Sequence, residues 1–231
     1  MYSLWNLVSI NFRRLVKLQL MKVDAVKTLN EIKTKLHESS DLKTRTMQFF
    51  GTQVSICYFA PITDNLLLNN SLLSPMLAYP FDSESDVLTT LKEKVLANQE
   101  VTEFTDLQSA VDKLLAGNTL VLVDGADEIL GCDLEKITVR SVEEPPTSVV
   151  IKGPREGFNE SIKYNLALIR RRVKSDDFVV KMMEIGKLTK TQIAIVYFDS
   201  LADKSIVKDI SKRLEKIKID GIIDSHYLVS Y

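Results

Sequence analysis

Residues 52–64 read TQVSICYFAPITD, and residues 191–203 read TQIAIVYFDSLAD. Each begins as a run of β-branched and aromatic residues, which favours a largely buried strand. Each ends in a loop whose aspartate, Asp64 or Asp203, is placed to cap the N-terminus of a following helix. The two stretches align without a gap, and the first shares these residues with the second: Thr52, Gln53, Ile56, Tyr58, Phe59 and Asp64.

The likeness continues upstream of the two strands. Residues 39–50, SSDLKTRTMQFF, resemble residues 174–186, KSDDFVVKMMEIG, and in each a Ser/Asp turn leads into a strand of a predicted hairpin. A helix with one apolar face is predicted before each hairpin, over residues 24–37 and residues 159–173, the second capped by Asn159. The order helix, strand, strand, helix is therefore predicted twice, which favours an α/β fold made of two related units by duplication.

The first unit has a longer continuation than the second. Helices are predicted over residues 86–98 and 106–116, and Asp124-Gly125 within residues 118–133 is a strong hairpin signal. The second unit has no counterpart of this hairpin before Tyr231, so we expect it to be incomplete at its C-terminus.

Three regions of the chain follow from these patterns. The dipeptide Pro145-Pro146 favours an extended connector, which separates a first unit, residues 24–145, from a second unit, residues 146–231. Residues 1–23 contain basic side chains but no acid. They are either a helix on an anionic membrane surface or a partner, a helix docked on its own domain, or a poorly ordered extension.

Composition indicates an ordinary globular chain, with 45% hydrophobic and 26% charged residues. The net charge of −1 gives no basic excess for binding nucleic acid. Cys57 and Cys132 are predicted to be buried free thiols, and His37 and His226 have no partner at metal-ligand spacing. We find no zinc site, catalytic triad, P-loop or GxGxxG pattern, so no metal, cofactor or enzymatic activity is predicted.

Near-neutrality conceals two charged blocks. Residues 152–174 have seven basic and two acidic side chains, whereas residues 82–112 have eight acidic and two basic ones. In the basic block, Arg170, Arg171 and Arg172 fan over roughly 200° of a helix, so they cannot all face one partner. They are either a solvated helix end that complements the helix dipole, or one or two of them fork onto carboxylates of a neighbouring domain or subunit.

The basic block begins with Gly153-Pro154-Arg155-Glu156-Gly157. Two glycines around a proline constrain the loop, so Arg155 and Glu156 are pointed in set directions. This arrangement suits an interface or an anion-contacting loop, or else it is an interdomain turn whose residues only satisfy each other.

The stretch GPREGFNESIKYNLALIRRRVKSDDF, residues 153–178, resembles the signature of the A-subunit family of bacterial spore germinant receptors. VLVDG at residues 121–125 and YFDSLAD at residues 197–203 are similar to the same family, and the resemblance covers about residues 25–231. It implies two α/β subdomains separated by a cleft, like those of solute-binding proteins of transporters.

The resemblance also implies a cellular setting. Members have a soluble N-terminal region, the part that this chain resembles, followed by a transmembrane region. They reside at the spore inner membrane with this domain on the cytoplasmic side. They assemble with B and C subunits into receptors that respond to amino acids, sugars or nucleosides.

Two functional hypotheses follow. A nutrient is bound in the cleft between the units by groups at loops and strand ends, and closure of the units then signals to the membrane. Alternatively, the domain binds no nutrient, and it joins neighbouring subunits, including other A-subunit copies, and transmits gating. The candidate ligand-binding residues are Arg155, Glu156, Asp124, Asp199, Asp203 and Tyr197, and the candidate interface residues are Gly153, Pro154, Arg170, Arg171 and Arg172.

Overall fold

The computed structural model describes residues 22–80, 86–96, 100–136 and 157–222. Two helices contain π-helical turns: α2 runs through Asn65–Leu67, a π-helical segment Leu68–Leu73 and Ser74–Ala78, and α3 is helical over Val87–Thr90 and π-helical over Leu91–Val95. The other elements are α1 (Ala25–Lys35), β1 (Leu42–Phe49), β2 (Thr52–Phe59), β3 (Val101–Phe104), α4 (Leu107–Leu115), β4 (Thr119–Val123), β5 (Ile129–Cys132), α5 (Ile162–Arg172), β6 (Phe178–Ile185), β7 (Thr191–Phe198) and α6 (Lys204–Lys216).

The first unit is a five-stranded sheet with helices on both faces. The strand order is β1-β2-β4-β5-β3, and every neighbouring pair is antiparallel. Side chains of α1 and α4, such as Ile32 and Leu114, cover one face, and those of α2 and α3, such as Leu72 and Leu91, cover the other. All five residues of β4 are buried because both faces are covered, which explains its unbroken apolar sequence.

The second hairpin repeats the geometry of the first. Phe178 pairs with Phe198 across β6 and β7, as Leu42 pairs with Phe59 across β1 and β2. The backbone N–H of Asp199 donates to the carbonyl oxygen of Asp177 at 2.8 Å, and that of Ala60 donates to Asp41 at 3.0 Å. These matching bonds agree with the repeat in the sequence.

Both predicted aspartate caps are confirmed. The carboxylate of Asp64 accepts hydrogen bonds from the N–H groups of Leu66 and Leu67, and that of Asp203 accepts one from Ser205. The Asp124-Gly125 hairpin is also present, with β4 and β5 antiparallel and Gly125 at a φ of 77°.

Two details differ from the sequence-based expectation. Helix α5 is capped by Ser161, whose hydroxyl accepts from the N–H of Tyr164, so the prediction of Asn159 as the cap was wrong. The side-chain oxygen of Asn159 instead accepts a hydrogen bond from the N–H of Ser161, the cap residue itself, at 2.8 Å. Strand β3 was not predicted, because it has four residues, most of them partly or fully exposed.

The two hairpins differ in what flanks them. On its second edge β2 pairs with β4, whereas among the described residues β7 pairs only with β6. Val196 and Phe198 of β7 are accordingly 41% and 37% exposed.

Residues 1–21 of the N-terminal extension and the predicted strand over residues 147–151 lie outside the described residues. In the described ranges, no helix has both the length and the apolar character needed to cross a bilayer.

Candidate functional site

The last turn of α5 contains a buried cation, Arg170, whose side chain is only 1% exposed. Its Nε donates to Oδ2 of Asp41 at 2.8 Å, and its Nη2 donates to Oδ1 of the same carboxylate at 3.0 Å. The two bonds form the parallel fork that a guanidinium makes with a carboxylate. Asp41 precedes β1, so this fork joins the second unit to the first; we call it the inter-unit joint, with Ser39, Asp41 and Arg170 as its polar core.

Two phenylalanine rings enclose the guanidinium of Arg170. Its central carbon lies 4.2 Å from the ring centroid of Phe59 and 4.7 Å from that of Phe178. Phe59 belongs to the first unit and Phe178 to the second. Phe178 is the counterpart of Leu42, which is the cross-strand partner of Phe59. Contact with aromatic faces stabilises a cation by its attraction to the ring quadrupole, and more so when water is excluded.

The hydroxyl of Ser39 completes the joint. It donates to Oδ1 of Asp41 at 2.8 Å and accepts from Nη2 of Arg170 and from the N–H of Val180, both at 2.9 Å. A serine hydroxyl has one hydrogen to donate and two lone pairs to accept with, so its full capacity is used.

The turn before β1 also pairs with the second hairpin through its backbone. The N–H of Ser40 donates to the carbonyl oxygen of Val180 at 2.7 Å, and its hydroxyl accepts from the N–H of Met182 at 3.2 Å. This turn therefore occupies the edge of β6 that β7 leaves open. The two units are therefore held by one backbone hydrogen bond and by bonds to serine hydroxyls, in addition to the ion pair.

Two weaker contacts run from the helix of the first unit to the turns of the second unit. At the end of α1, Lys35 Nζ lies 3.5 Å from Oδ2 of Asp176, and His37 Nδ1 lies 3.2 Å from Oδ2 of Asp199. The end of each helix thus reaches the turns of the other unit. These pairs are partly exposed, so each contributes at most about 1 kcal/mol.

Asp177, the counterpart of Asp41 in the second unit, is partly exposed instead of buried. Its carboxylate accepts from the hydroxyl of Ser200 at 2.6 Å and from the N–H of Ser200 at 2.8 Å. The hydroxyl bond is the largest cause of a lowered pKa for Asp177, since it stabilises the ionised form.

The three arginines have different environments, as their helical spacing requires. Arg170 is buried in the joint. Arg171 also reaches the first unit, where its Nη2 contacts the carbonyl oxygen of Lys136 and its Nε lies 3.6 Å from Glu135. Arg172 is exposed.

Three predicted ligand-binding residues lie at the end of β7 and in the loop after it. The carboxylate of Asp199 contacts the ammonium of Lys204, which also lies 5.9 Å from the ring centroid of Tyr197. Asp203 caps α6, and the side-chain hydrogen bond from Ser205 is the largest cause of its lowered pKa. The carboxylate of Asp203 is therefore already engaged in hydrogen bonds that cap the helix.

The remaining candidates are elsewhere. Asp124 Oδ1 accepts from the N–H of Ala25 at 3.2 Å, at the opposite end of α1 from His37 and Asp199. An 11-residue helix is about 16 Å long, so Asp124 and Asp199 do not meet in one site. Gly153, Pro154, Arg155 and Glu156 lie outside the described residues.

The partners of Arg170 were not identified from the sequence. Asp41 and Ser39 belong to the repeated Ser/Asp turn, for which the sequence pattern predicts a turn and no contact with Arg170. The repeat itself contained the signal, because a polar turn placed at the same point of both units is a natural place for the units to meet.

The two thiols take no part in this site. Burial raises the pKa of Cys57 and that of Cys132 to about 12, so both stay protonated at neutral pH. In the described ranges, no group of three or more histidine, cysteine or acidic side chains is arranged to hold a metal ion.

Comparisons with known proteins agree on one family. The family model described as Bacillus/Clostridium GerA spore germination protein matches residues 30–231. Spore germination protein KA of Bacillus subtilis (strain 168) is 32% identical over 213 residues, which cover 90% of this chain and 39% of that protein. Stage V sporulation protein AF of the same organism is 29% identical over 80% of this chain and 37% of its own length. The chain thus spans about two fifths of the curated relatives that it matches.

A solved structure is similar over most of the chain. It is the N-terminal domain of the A subunit of the Bacillus megaterium spore germinant receptor GerK3, with a TM-score of 0.67 and 27% sequence identity. The match covers 90% of this chain and 78% of that domain.

Proposed function

The chain belongs to the Bacillus/Clostridium GerA spore germination protein family, and from this premise we propose that it joins the subunits of a germinant receptor and transmits the gating signal. In this proposal the chain is the N-terminal domain of an A subunit. It triggers spore germination together with a membrane region outside the sequence described here, and it has no catalytic role.

The inter-unit joint supports this proposal most strongly. A domain that closes over a ligand needs an interface that opens at low cost, because binding energy must drive the motion. Separating Arg170 from Asp41 would instead leave two buried charges without partners, which is strongly unfavourable. We therefore propose that the two units, as related α/β subdomains on either side of a cleft, move as one body and pass displacement on to their neighbours.

The remaining parts of the proposal concern the surroundings of the chain. We propose that it lies on the cytoplasmic side of the spore inner membrane and contacts the B and C subunits and other A-subunit copies. The exposed Arg172 and the loop of Gly153 and Pro154 are the proposed contact residues, with Arg171 beside them.

Direct binding of an amino acid, sugar or nucleoside between the units is the second candidate function. Tyr197, Asp199 and Lys204 favour it, because a phenol, a carboxylate and an ammonium group lie together beside His37 at the exposed margin of the joint. Arg155 and Glu156 would add a cation and an acid for a zwitterion. Asp203, in the loop after β7, belongs to the same proposal, whereas Asp124 lies at the opposite end of α1 and is not part of this site.

The experiment is a germination dose–response in spores in which the full-length A subunit contains Asp41→Asn or Arg170→Met. If the chain transmits gating, each variant lowers the maximal germination rate and leaves the half-maximal nutrient concentration unchanged. Arg213→Gln is the matched control, because it removes an exposed arginine of α6 outside the joint.

The same assay with Asp199→Asn and Tyr197→Phe tests the second function. A shift of the half-maximal concentration by about tenfold, with the maximal rate retained, would favour ligand binding and contradict the scaffold proposal. Co-purification of the other subunits with each variant separates lost assembly from lost transmission.

A further inference from the structure

A small cleft lies within the first unit, between the outer half of its sheet and α2. Its volume is about 170 Å³, and Arg45, Tyr58, Asn65 and Asn69 line it together with apolar side chains. It is separate from the inter-unit joint, and the proposed function does not involve it.

The sheet side of the cleft follows from strand register. Arg45 of β1 pairs directly with Ile56 of β2, and Tyr58 lies two residues further along β2, so all three share one face of the sheet. Ile56 belongs to the core cluster beneath α2 and α3, which identifies the face.

The helical side comes from the π-helical segment of α2. The N–H of Ser74 donates to the carbonyl oxygen of Asn69, five residues back. Leu68 and Leu73 are buried on this segment, and Asn65 and Asn69 are exposed beside them. Such π-helical insertions inside helices are frequent at functional sites.

Within the ranges that the structure describes, the polar side chains of the cleft have no protein partners. Among the described residues, Arg45, Tyr58, Asn65 and Asn69 make no side-chain hydrogen bond or ion pair. A guanidinium, a phenol and two amides therefore line one cavity without being tied to other protein groups, above a floor of Ile56, Leu68 and Leu73. Arg45, Asn65 and Asn69 are exposed, so a ligand would replace water at these groups.

We propose that this cleft binds a small aliphatic monocarboxylate. Among the described residues, Arg45 is the one charged group lining it, which matches a single negative charge and forks naturally onto a carboxylate. The apolar floor accepts a short hydrocarbon chain, and the amides and the phenol of Tyr58 hold the polar edge. The volume corresponds to about five or six waters at roughly 30 Å³ each, so a ligand of about six or seven heavy atoms fits.

The test is a two-dimensional amide NMR titration of the 231-residue chain with isovalerate, with isoamylamine, which has the same carbon chain but an ammonium group, and with inorganic phosphate. We expect saturable shifts for isovalerate, at residues 45, 56–58 and 65–73, with a dissociation constant in the millimolar range. Isoamylamine and phosphate should leave these residues unchanged up to about 20 mM.

Variants separate the carboxylate contact from general effects. Arg45→Gln should weaken isovalerate binding about tenfold or more, because it removes a charged hydrogen-bonding pair. Asn69→Asp should weaken it as well, by placing a like charge beside the carboxylate. Arg213→Gln, a loss of the same charge outside the cleft, should leave binding unchanged.

Three results would overturn the proposal. The first is no saturable shift with isovalerate up to about 20 mM in a well-dispersed spectrum. The second is equal binding of phosphate or isoamylamine. The third is unchanged affinity in Arg45→Gln. None of them bears on the inter-unit joint, whose residues do not line the cleft.

Discussion

Replacing Asp41 by asparagine isolates the charge of the inter-unit joint. The substitution keeps the size of the side chain and one oxygen that can accept from Arg170 and Ser39. It removes the negative charge that faces a guanidinium of which only 1% is exposed. We therefore expect Asp41→Asn to lower the free energy of unfolding, because the arginine stays buried without a counter-charge.

The expected loss is about 3 kcal/mol, at the lower end of the range of about 3–5 kcal/mol for removing one partner of a buried ion pair. The lower end applies because the amide oxygen preserves part of the hydrogen bonding. For a domain whose total stability is roughly 5–15 kcal/mol, this is a large fraction.

Urea unfolding followed by circular dichroism measures the effect as a lower midpoint with an unchanged slope. The double variant Asp41→Leu with Arg170→Met replaces the pair by apolar side chains of similar size and should recover most of the stability. Asp199→Asn is the control, since its partners His37 and Lys204 are partly exposed and its loss should stay within about 1 kcal/mol. A change below about 1 kcal/mol in Asp41→Asn would refute the reasoning, because it would mean that water reaches the pair.

Three further outcomes are expected. Cys57 and Cys132 should not react with a thiol reagent at pH 8 in the native chain and should both react in urea, because burial raises the pKa of each to about 12; rapid native labelling would contradict this. The lowered pKa of Asp203 means that its cap stabilises the fold above the ordinary carboxyl pKa of about 3.9 and loses this effect as the pH falls through the lowered value. Asp203→Asn should therefore be slightly less stable than the parent at pH 7 and lose less stability between pH 7 and pH 3, and an equal acid loss in urea melts would count against the cap. Gly186→Ala should cost about 1–3 kcal/mol, because its φ is +93° and an added Cβ would lie 2.6 Å from Oγ1 of Thr189. Gly51→Ala, at a φ of +78° with open space, should cost less, and a reversed order in thermal melts would be inconsistent with crowding at Gly186.

The repeated hairpins and their caps were predictable because their causes are local. Alternating β-branched and aromatic residues favour strands, and an aspartate before a helix satisfies free N–H groups within three residues of itself. Strand β3 could not be predicted because it forms only by pairing with β5. The cap of α5 lies two residues later than expected because Ser161, and not Asn159, caps the helix.

The candidate site was harder to predict because its residues are distant in sequence. Helical spacing showed that Arg170, Arg171 and Arg172 face different directions, which the structure agrees with. It could not say which of them is buried, because Asp41 is separated from Arg170 by 129 positions. The cleft lined by Arg45 and Asn69 was not anticipated either, since β1 and α2 meet only when the helix folds back over the sheet.

The sequence by itself determined the α/β class, the duplicated order of elements and the family of this chain. Periodicity, turn residues and a long signature all act over short separations, where residue identity alone sets the preference. Only the tertiary structure decided that Arg170 is an internal tie, whereas its neighbour Arg172 remains exposed. The physical reason is that the environment of a charge depends on which carboxylate and which aromatic rings surround it, and the packing of one unit on the other brings those groups together.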